Sequence, residues 1–285
     1  MDQTSQNRRS IKKEKIRKII LYVILSVFLV TCIYPIIWLL INSFKTTDEL
    51  FANTWGLPKT FTLQNYYHAI VKNKMLLYFR NSVFVSAVSV AVILLVSLMA
   101  AFGVTRLRWK YGSLFLKIFL LGLMVPAYGS IIPLYSMFMK MGILNHYISV
   151  IIPHVTFGLA TAIFILSGFF LSIPAALEEA AVIDGCSVPI LFFKVMCPLV
   201  APGAVTVTVI SFVNIWNDLL FSQIFLNEKS MMPLTIGLME FQGMYATDHA
   251  GMIAAVVITV IPVIIVYTIL HRYIIEGMIA GAVKG

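Results

Sequence analysis

Two short constellations carry most of the chemistry legible in this 285-residue sequence. The first is Glu178, Glu179, Ala180, Ala181, Asp184 and Gly185, followed after a gap by Pro198. Its carboxylates can pair with basic groups on another molecule, its alanines permit close approach of that molecule, and its glycine permits a left-handed backbone. A lone surface carboxylate is more often simply solvated. The second is Asn214, Asn217 and Asp218, set in an otherwise apolar stretch. Polar groups at membrane depth face the interior of a helix bundle, so these are candidates for a translocation path, with packing at a helix end as the competing reading. His154 has no partner motif and reads as a packed or water-facing residue. Cys32, Cys186 and Cys197 are too few and too scattered for a disulfide framework or a zinc site. No G-x-x-x-x-G-K-[ST] phosphate loop occurs, so any ATP-driven step needs another subunit to bind the nucleotide.

The elements that position these groups follow from composition. The chain is 60% hydrophobic and 12% charged, against about 25% charge in a soluble domain. That excludes an ordinary soluble enzyme, a disordered chain and a disulfide-stapled secreted domain. Six uncharged or nearly uncharged stretches stand out, at about 19–41, 81–104, 118–139, 150–171, 204–226 and 251–270. Each can cover a hydrocarbon core of ~30 Å, which takes roughly 20 residues. They are continuous in Leu, Ile and Val instead of alternating, which points to helices and away from a β-barrel. The expected fold is therefore all-α and integral to the membrane, with six transmembrane helices.

Orientation follows from Lys and Arg. The net charge of +9 is concentrated in the basic N-terminus, which points to membrane orientation and not to nucleic acid. With the N-terminus inside, 14 of the 21 Lys and Arg fall on the inner side, Arg106, Arg108, Lys194 and Lys284 among them. The expected topology is N-in/C-in, with cytoplasmic tails at 1–18 and 276–285 flanking a membrane domain at 19–275. Leu29-Val30-Thr31-Cys32 loosely resembles a lipoprotein cleavage box, but the apolar run continues to Ile41, so the first helix is expected to stay uncleaved.

The segments between spans are informative. The stretch 42–80, with Trp55-Gly56-Leu57-Pro58 and Tyr66-Tyr67, is expected to be ordered and to cap the bundle. The stretch 227–250 carries Met231, Met232, Phe241 and Tyr245, which suit either a docking surface or packing onto helix ends. The stretch 172–203 holds signals for two short helices. Ser172 can cap the first, with Pro174 in its first turn and Gly185 closing it. Ser187 can cap the second, with Pro189 in its first turn, and that helix stops near Pro198. A rigid two-helix knob suits transmission of motion to another protein. Pro126, Pro133 and Pro262 are candidate kinks.

The run Glu179-Ala180-Ala181-Val182-Ile183-Asp184-Gly185, with Val195-Met196-Cys197-Pro198 downstream, resembles the "EAA" loop of bacterial ABC-importer permeases. Ser43-Phe44-Lys45-Thr46, Ile132-Pro133-Leu134-Tyr135, Trp216-Asn217-Asp218 and the tail Ala280-Gly281-Ala282-Val283-Lys284-Gly285 are similar to the maltose-type carbohydrate-uptake branch. Cys186 and Cys197 are mild departures from that pattern. The resemblance implies a multi-pass permease of the bacterial cell membrane, with a cytoplasmic coupling loop between helices 4 and 5. It implies one half of a translocation pathway for a sugar or oligosaccharide, paired with a second permease subunit, two ABC ATPase subunits and an extracytoplasmic sugar-binding protein. ATP and Mg would bind the ATPase, and this chain would hold no cofactor and catalyse no reaction itself. Competing readings are a permease for a polyamine or phosphonate, a secondary transporter, and a membrane enzyme. The last would need clustered His, Asp or Glu, which only Asp218 and His154 approach.

Overall fold

The computed structural model describes residues 3–107, 109–241 and 248–282, with side chains described between 14 and 272. Among these residues every regular element is helical. In chain order the α-helices are α1 (Gln3–Asn42), α2 (Thr47–Ala52), α3 (Gln64–Tyr67), α4 (Met75–Thr105), α5 (Gly112–Leu121), α6 (Ile131–Met141), α7 (Tyr147–Ser172), α8 (Ala175–Ile183), α9 (Val188–Ile190), α10 (Cys197–Leu199), α11 (Ala201–Trp216), α12 (Leu220–Phe225), α13 (Leu234–Met239) and α14 (His249–Ala282). Among the described residues four helical stretches are long and apolar enough to cross a bilayer: Glu14–Asn42, Met75–Thr105, Tyr147–Ser172 and His249–Arg272. Two bent pairs raise the number to six.

The bends correct two expectations of straight helices. The stretch 118–139 is not one helix but two, Gly112–Met124 and Tyr128–Met141, bent by 81°. Pro126 is the cause. Val125 before it takes an extended backbone with ψ 118°, as a residue preceding proline must, and the helix restarts only after Ala127. Pro133 falls in the first turn of α6 and makes no kink. The stretch 204–226 is also divided. Before it, Val188–Leu199 meets Ala201–Trp216 at 73°, at the expected stop near Pro198, where Pro198 and Pro202 remove backbone donors. Helix α11 then stops at Trp216, because the Asp218 carboxylate accepts from the N–H groups of Phe221 (3.3 Å) and Ser222 (3.1 Å) and starts α12 afresh.

The chain packs as two units, one ending at Ala69 and including α14 as far as Val257, the other running from Ile70 and resuming at Ile258. In the first, α1 leaves its apolar side chains exposed from Ile19 to Ile37. The stretch after it is ordered by polar contacts. Lys45 is fully buried and donates to the Asn53 carbonyl at 2.6 Å. The Asn65 amide donates to the Ser43 and Lys45 carbonyls at 2.8 and 2.7 Å. Thr46 caps α2 through the Glu49 N–H, and the Trp55 ring stacks on Tyr34.

The second unit is built on the crossing of α4 and α7. Val85, Val90, Ile93, Ala101 and Phe102 pack with Ile151, Ala162, Leu166 and Phe170. Gly158 lets the helices approach, since a Cβ there would lie 2.7 Å from the Ile93 Cδ1. At one end of this pair, buried Asn81 donates to the Ser230 and Met232 carbonyls (2.8 and 2.9 Å) and accepts from the Tyr147 hydroxyl (2.9 Å). Asn145, at φ 62°, accepts from the N–H groups of Asn227 and Glu228, both at 2.9 Å. These two asparagines tie the 226–233 segment to the helix ends. Met231 and Met232 pack against the core and Phe241 is buried, which favours the packing reading for these residues over a docking surface. Tyr245 lies outside the described residues, as do Arg108 and Lys284.

Candidate functional site

The stretch from Ser172 to Val200 forms the expected pair of short helices. Helix α8 closes in a Schellman motif: Cys186 N–H donates to the Ala181 carbonyl and Gly185 N–H to the Val182 carbonyl, both at 3.0 Å. Gly185 takes φ 79°, a conformation that costs an L-residue about 1–2 kcal/mol. Ser187 begins the second helix in an extended conformation, and Pro189 sits in its first turn. Leu191–Met196 is a π-helical turn, the adjustment that lets the helix run on to Pro198 despite the donor missing there. One expectation is corrected at the start of the segment. The Ser172 hydroxyl donates back to the Phe169 carbonyl at 2.8 Å, and Pro174, not Ser172, stands at the cap position of α8.

The two neighbouring glutamates have different surroundings. Glu178 Oε2 lies 3.6 Å from Arg106 Nη1, and both side chains are largely covered. Arg106 also donates to the Phe170 and Ile173 carbonyls. It thus ties the end of α4 to the end of α7 and to α8. Glu179 and Asp184 are exposed, as are Ala180 and Gly185, whereas Ala181 is buried. Exposed apolar side chains surround them: Val182, Ile183 (85% exposed), Val188 and Phe193. An apolar surface edged by two exposed carboxylates and mounted on a braced helical pair can meet basic groups of another molecule.

A second region lies among α4, α7, α11 and the bend at Pro126. It is a cavity of about 230 Å³ lined by Ile93, Tyr128, His154, Phe157, Thr161, Ser211, Asn214 and Phe221, with apolar neighbours. Of the three polar candidates at the end of α11, Asn214 faces it. Asn217 is exposed and donates to the Val213 carbonyl on its own helix at 2.9 Å. Asp218, 4% exposed, is engaged with the start of α12 and with the Ser222 hydroxyl at 2.8 Å.

His154 has a partner that spacing alone does not show. Its Nε2 lies 3.6 Å from Asp218 Oδ2, with 9% and 2% of the side chains exposed. This is ion-pair range and too long for a hydrogen bond, so the buried Nε2 makes none. The rings of His154, Tyr128 and Phe157 all meet Phe221, at 5.6, 5.4 and 6.2 Å between centroids. Tyr128, His154 and Phe221 come from three separate stretches, so no local pattern joins them. The only available signal was that a histidine and an aspartate both stand in apolar surroundings.

The family of binding-protein-dependent transport system inner membrane components matches residues 93–279. The probable ABC transporter permease protein YurM of Bacillus subtilis (strain 168) is 32% identical over 264 residues, 93% of this chain and 88% of that one. The sulfoquinovosyl glycerol transport system permease protein SmoH of Agrobacterium fabrum is 34% identical over 266 residues, 93% of each chain. Among solved structures, a bacterial ABC transporter involved in the import of the acidic polysaccharide alginate superposes with a TM-score of 0.81 at 23% identity, covering 92% of this chain and 98% of that one. At that identity the likeness is one of fold.

Proposed function

We propose, on the premise that this chain belongs to the family of binding-protein-dependent transport system inner membrane components, that it is the membrane-spanning subunit of an ATP-driven importer for a sugar or oligosaccharide. It is a multi-pass cell-membrane protein and a transport component. The observation that carries the coupling role is the 175–199 pair. Its Gly185-closed bend, its brace from Arg106 and its exposed rim of Glu179, Asp184 and Ile183 make a rigid surface for an ATPase subunit. In this reading Glu179 and Asp184 meet basic groups of the ATPase, exposed Ala180 allows its approach while Ala181, expected beside it, is buried and packs inward, and Pro198 sets the bend into α11. Glu178 acts from within, holding α8 to Arg106. ATP and Mg bind the ATPase, whose closure favours one of two packings of the helices by differential binding energy.

The sugar assignment is supported by the carbohydrate ligands named for relatives such as SmoH and the alginate importer. A second permease subunit, two ATPase subunits and an extracytoplasmic binding protein complete the assembly, with the N- and C-termini and the 172–203 segment on the cytoplasmic side. Co-purification of the tagged chain with its ATPase, and ATP hydrolysis in proteoliposomes stimulated by the binding protein, test this. Assembly and stimulated hydrolysis are expected for the wild type. Normal assembly and wild-type transport by both Gly185→Val and Glu179→Lys would show that the coupling surface lies elsewhere.

A further inference from the structure

Polar side chains inside a membrane helix ordinarily spend their hydrogen bonds on their own backbone, because hydrocarbon offers nothing else. Most hydroxyls here do so. Thr105, Thr156, Thr206 and Thr208 each donate to the carbonyl four residues earlier, at 2.6 to 2.9 Å. Ser86, Ser89 and Ser167 are buried hydroxyls without a partner, scattered outside the cavity, whereas the unspent groups lining the cavity converge. No hydrogen bond engages the side chains of Tyr128, Thr161, Ser211 or Asn214 among the described residues, and His154 Nε2 is buried without one. These five unspent groups come from α7, α11 and the bend after Pro126 and converge on one cavity beside the Phe221 ring. Donors and acceptors around an aromatic face are the complement of a polyol ring.

Size and charge narrow the ligand. The cavity holds about 230 Å³, well above the ~30 Å³ share of a single water and below the ~300–1,000 Å³ of a pocket for a whole drug-sized ligand. Among the described residues no Lys or Arg lines it, and Asp218, outside the lining, stands 3.6 Å from His154. A sugar carboxylate would find no guanidinium or ammonium group to pair with there.

We propose that this cavity is a subsite for one uncharged sugar ring, stacked against Tyr128 and Phe221 and hydrogen-bonded by His154 and Asn214. It rests on the permease reading above and adds to it the substrate's charge class and the residues that contact it. Asp218 is a positioning residue, which stands 3.6 Å from His154 and holds Phe221 by capping α12. The chain therefore differs from the relative described for an acidic polysaccharide.

Protection from labelling in the assembled transporter tests this. Cys32, Cys186 and Cys197 are replaced by serine, Asn214→Cys is introduced, and reaction with an uncharged methanethiosulfonate is followed in proteoliposomes. The probes are glucose, galactose, mannose and xylose against glucuronate and galacturonate. At least one neutral sugar is expected to slow labelling while neither uronate does. His154→Leu should raise the protecting concentration roughly tenfold, the effect of one good hydrogen bond at about 1.4 kcal/mol, and His154→Gln, which keeps an N–H donor, should restore most of it. Labelling that no neutral sugar slows would show a water-filled cavity and overturn the proposal. Equal protection by uronates, failure of Asn214→Cys to react, or identical behaviour of the two His154 variants would also overturn it. If the wild-type assembly hydrolyses ATP in response to its binding protein and protection is still absent, this inference fails while the permease reading stands.

Discussion

The 175–199 pair and the cavity both carry charge in an apolar chain, yet they are built in opposite ways. The pair is local. Its helices, its bend and its exposed carboxylates come from one continuous stretch, and its backbone bonds are satisfied internally by the Schellman closure at Gly185. The cavity is assembled from five stretches of chain, and several of its side chains are left with hydrogen bonds to give. A rigid, self-satisfied surface suits a permanent partner that pushes on it. Unsatisfied groups around an open cavity, with Tyr128 and Asn214 exposed, suit a ligand that comes and goes.

The largest effect is expected at the bend. Gly185→Val places a β-branched residue at φ 79°, where nothing within 4 Å blocks a Cβ. The cost is therefore backbone strain and not a clash, which for a β-branched residue exceeds the usual 1–2 kcal/mol. Co-purification with the ATPase should fall sharply, or hydrolysis should run without transport, while membrane insertion is unchanged. A variant that assembles and transports normally would mean the bend is not part of the coupling surface. Glu179→Lys acts on the same surface through charge alone, so its effect should shrink in high salt, whereas that of Gly185→Val should not.

Arg106→Leu comes next. It leaves Glu178 without its ion pair and the Phe170 and Ile173 carbonyls without their donor. Removing one partner of a largely covered pair costs about 3 kcal/mol. Hydrogen exchange in 175–199 should rise by more than tenfold, with the bilayer-spanning part of α7 protected as before. Unchanged exchange would show that the pair is braced by apolar packing, without need of the arginine. Asn81→Ala probes the other end of the α4–α7 crossing. It removes three hydrogen bonds and strands two carbonyls, at about 1–3 kcal/mol. The melting temperature should drop while co-purification with the ATPase persists, which separates stability from coupling.

These two regions also differ in how far the sequence disclosed them. Gly185, Glu179 and Pro198 stand in one motif, and capping rules alone anticipate the left-handed turn, so the pair was legible almost residue by residue. Of the six expected spans, four hold single helices where expected, but the breaks at Pro126 and Asp218 lie inside apolar runs, the second at the one charged residue of its run. Hydropathy measures the polarity of a stretch and not the continuity of its backbone, and a carboxylate that captures the amides of Phe221 and Ser222 ends a helix without changing its composition. The partnership of His154 with Asp218 spans 64 positions and depends on the crossing of α7 with the α11–α12 turn, which no periodicity encodes.

The smallest expected effect bears most directly on how the cavity is understood. Asn214 and Asn217 are both asparagines at the end of α11, one turn apart, and composition does not separate them. Asn217 has already given its amide to Val213 and does not line the cavity, while Asn214 lines it with its amide unspent. Replacing each by serine shortens the side chain and leaves a hydroxyl that can bond back to its own helix, as Thr206 and Thr208 do. For Asn217→Ser this exchanges one exposed self-bond for another, so the substrate concentration giving half-maximal uptake should move by less than about twofold, within the ~0.5 kcal/mol scatter of surface substitutions. For Asn214→Ser a group aimed at the ligand is withdrawn, and the same concentration should rise several-fold with the ATPase activity of the assembly still stimulated by the binding protein. Uptake measured over a range of substrate concentrations decides between them. Equal shifts for the two variants would mean that both asparagines serve only to end the helix, and that unspent hydrogen bonds are no guide to where the ligand passes.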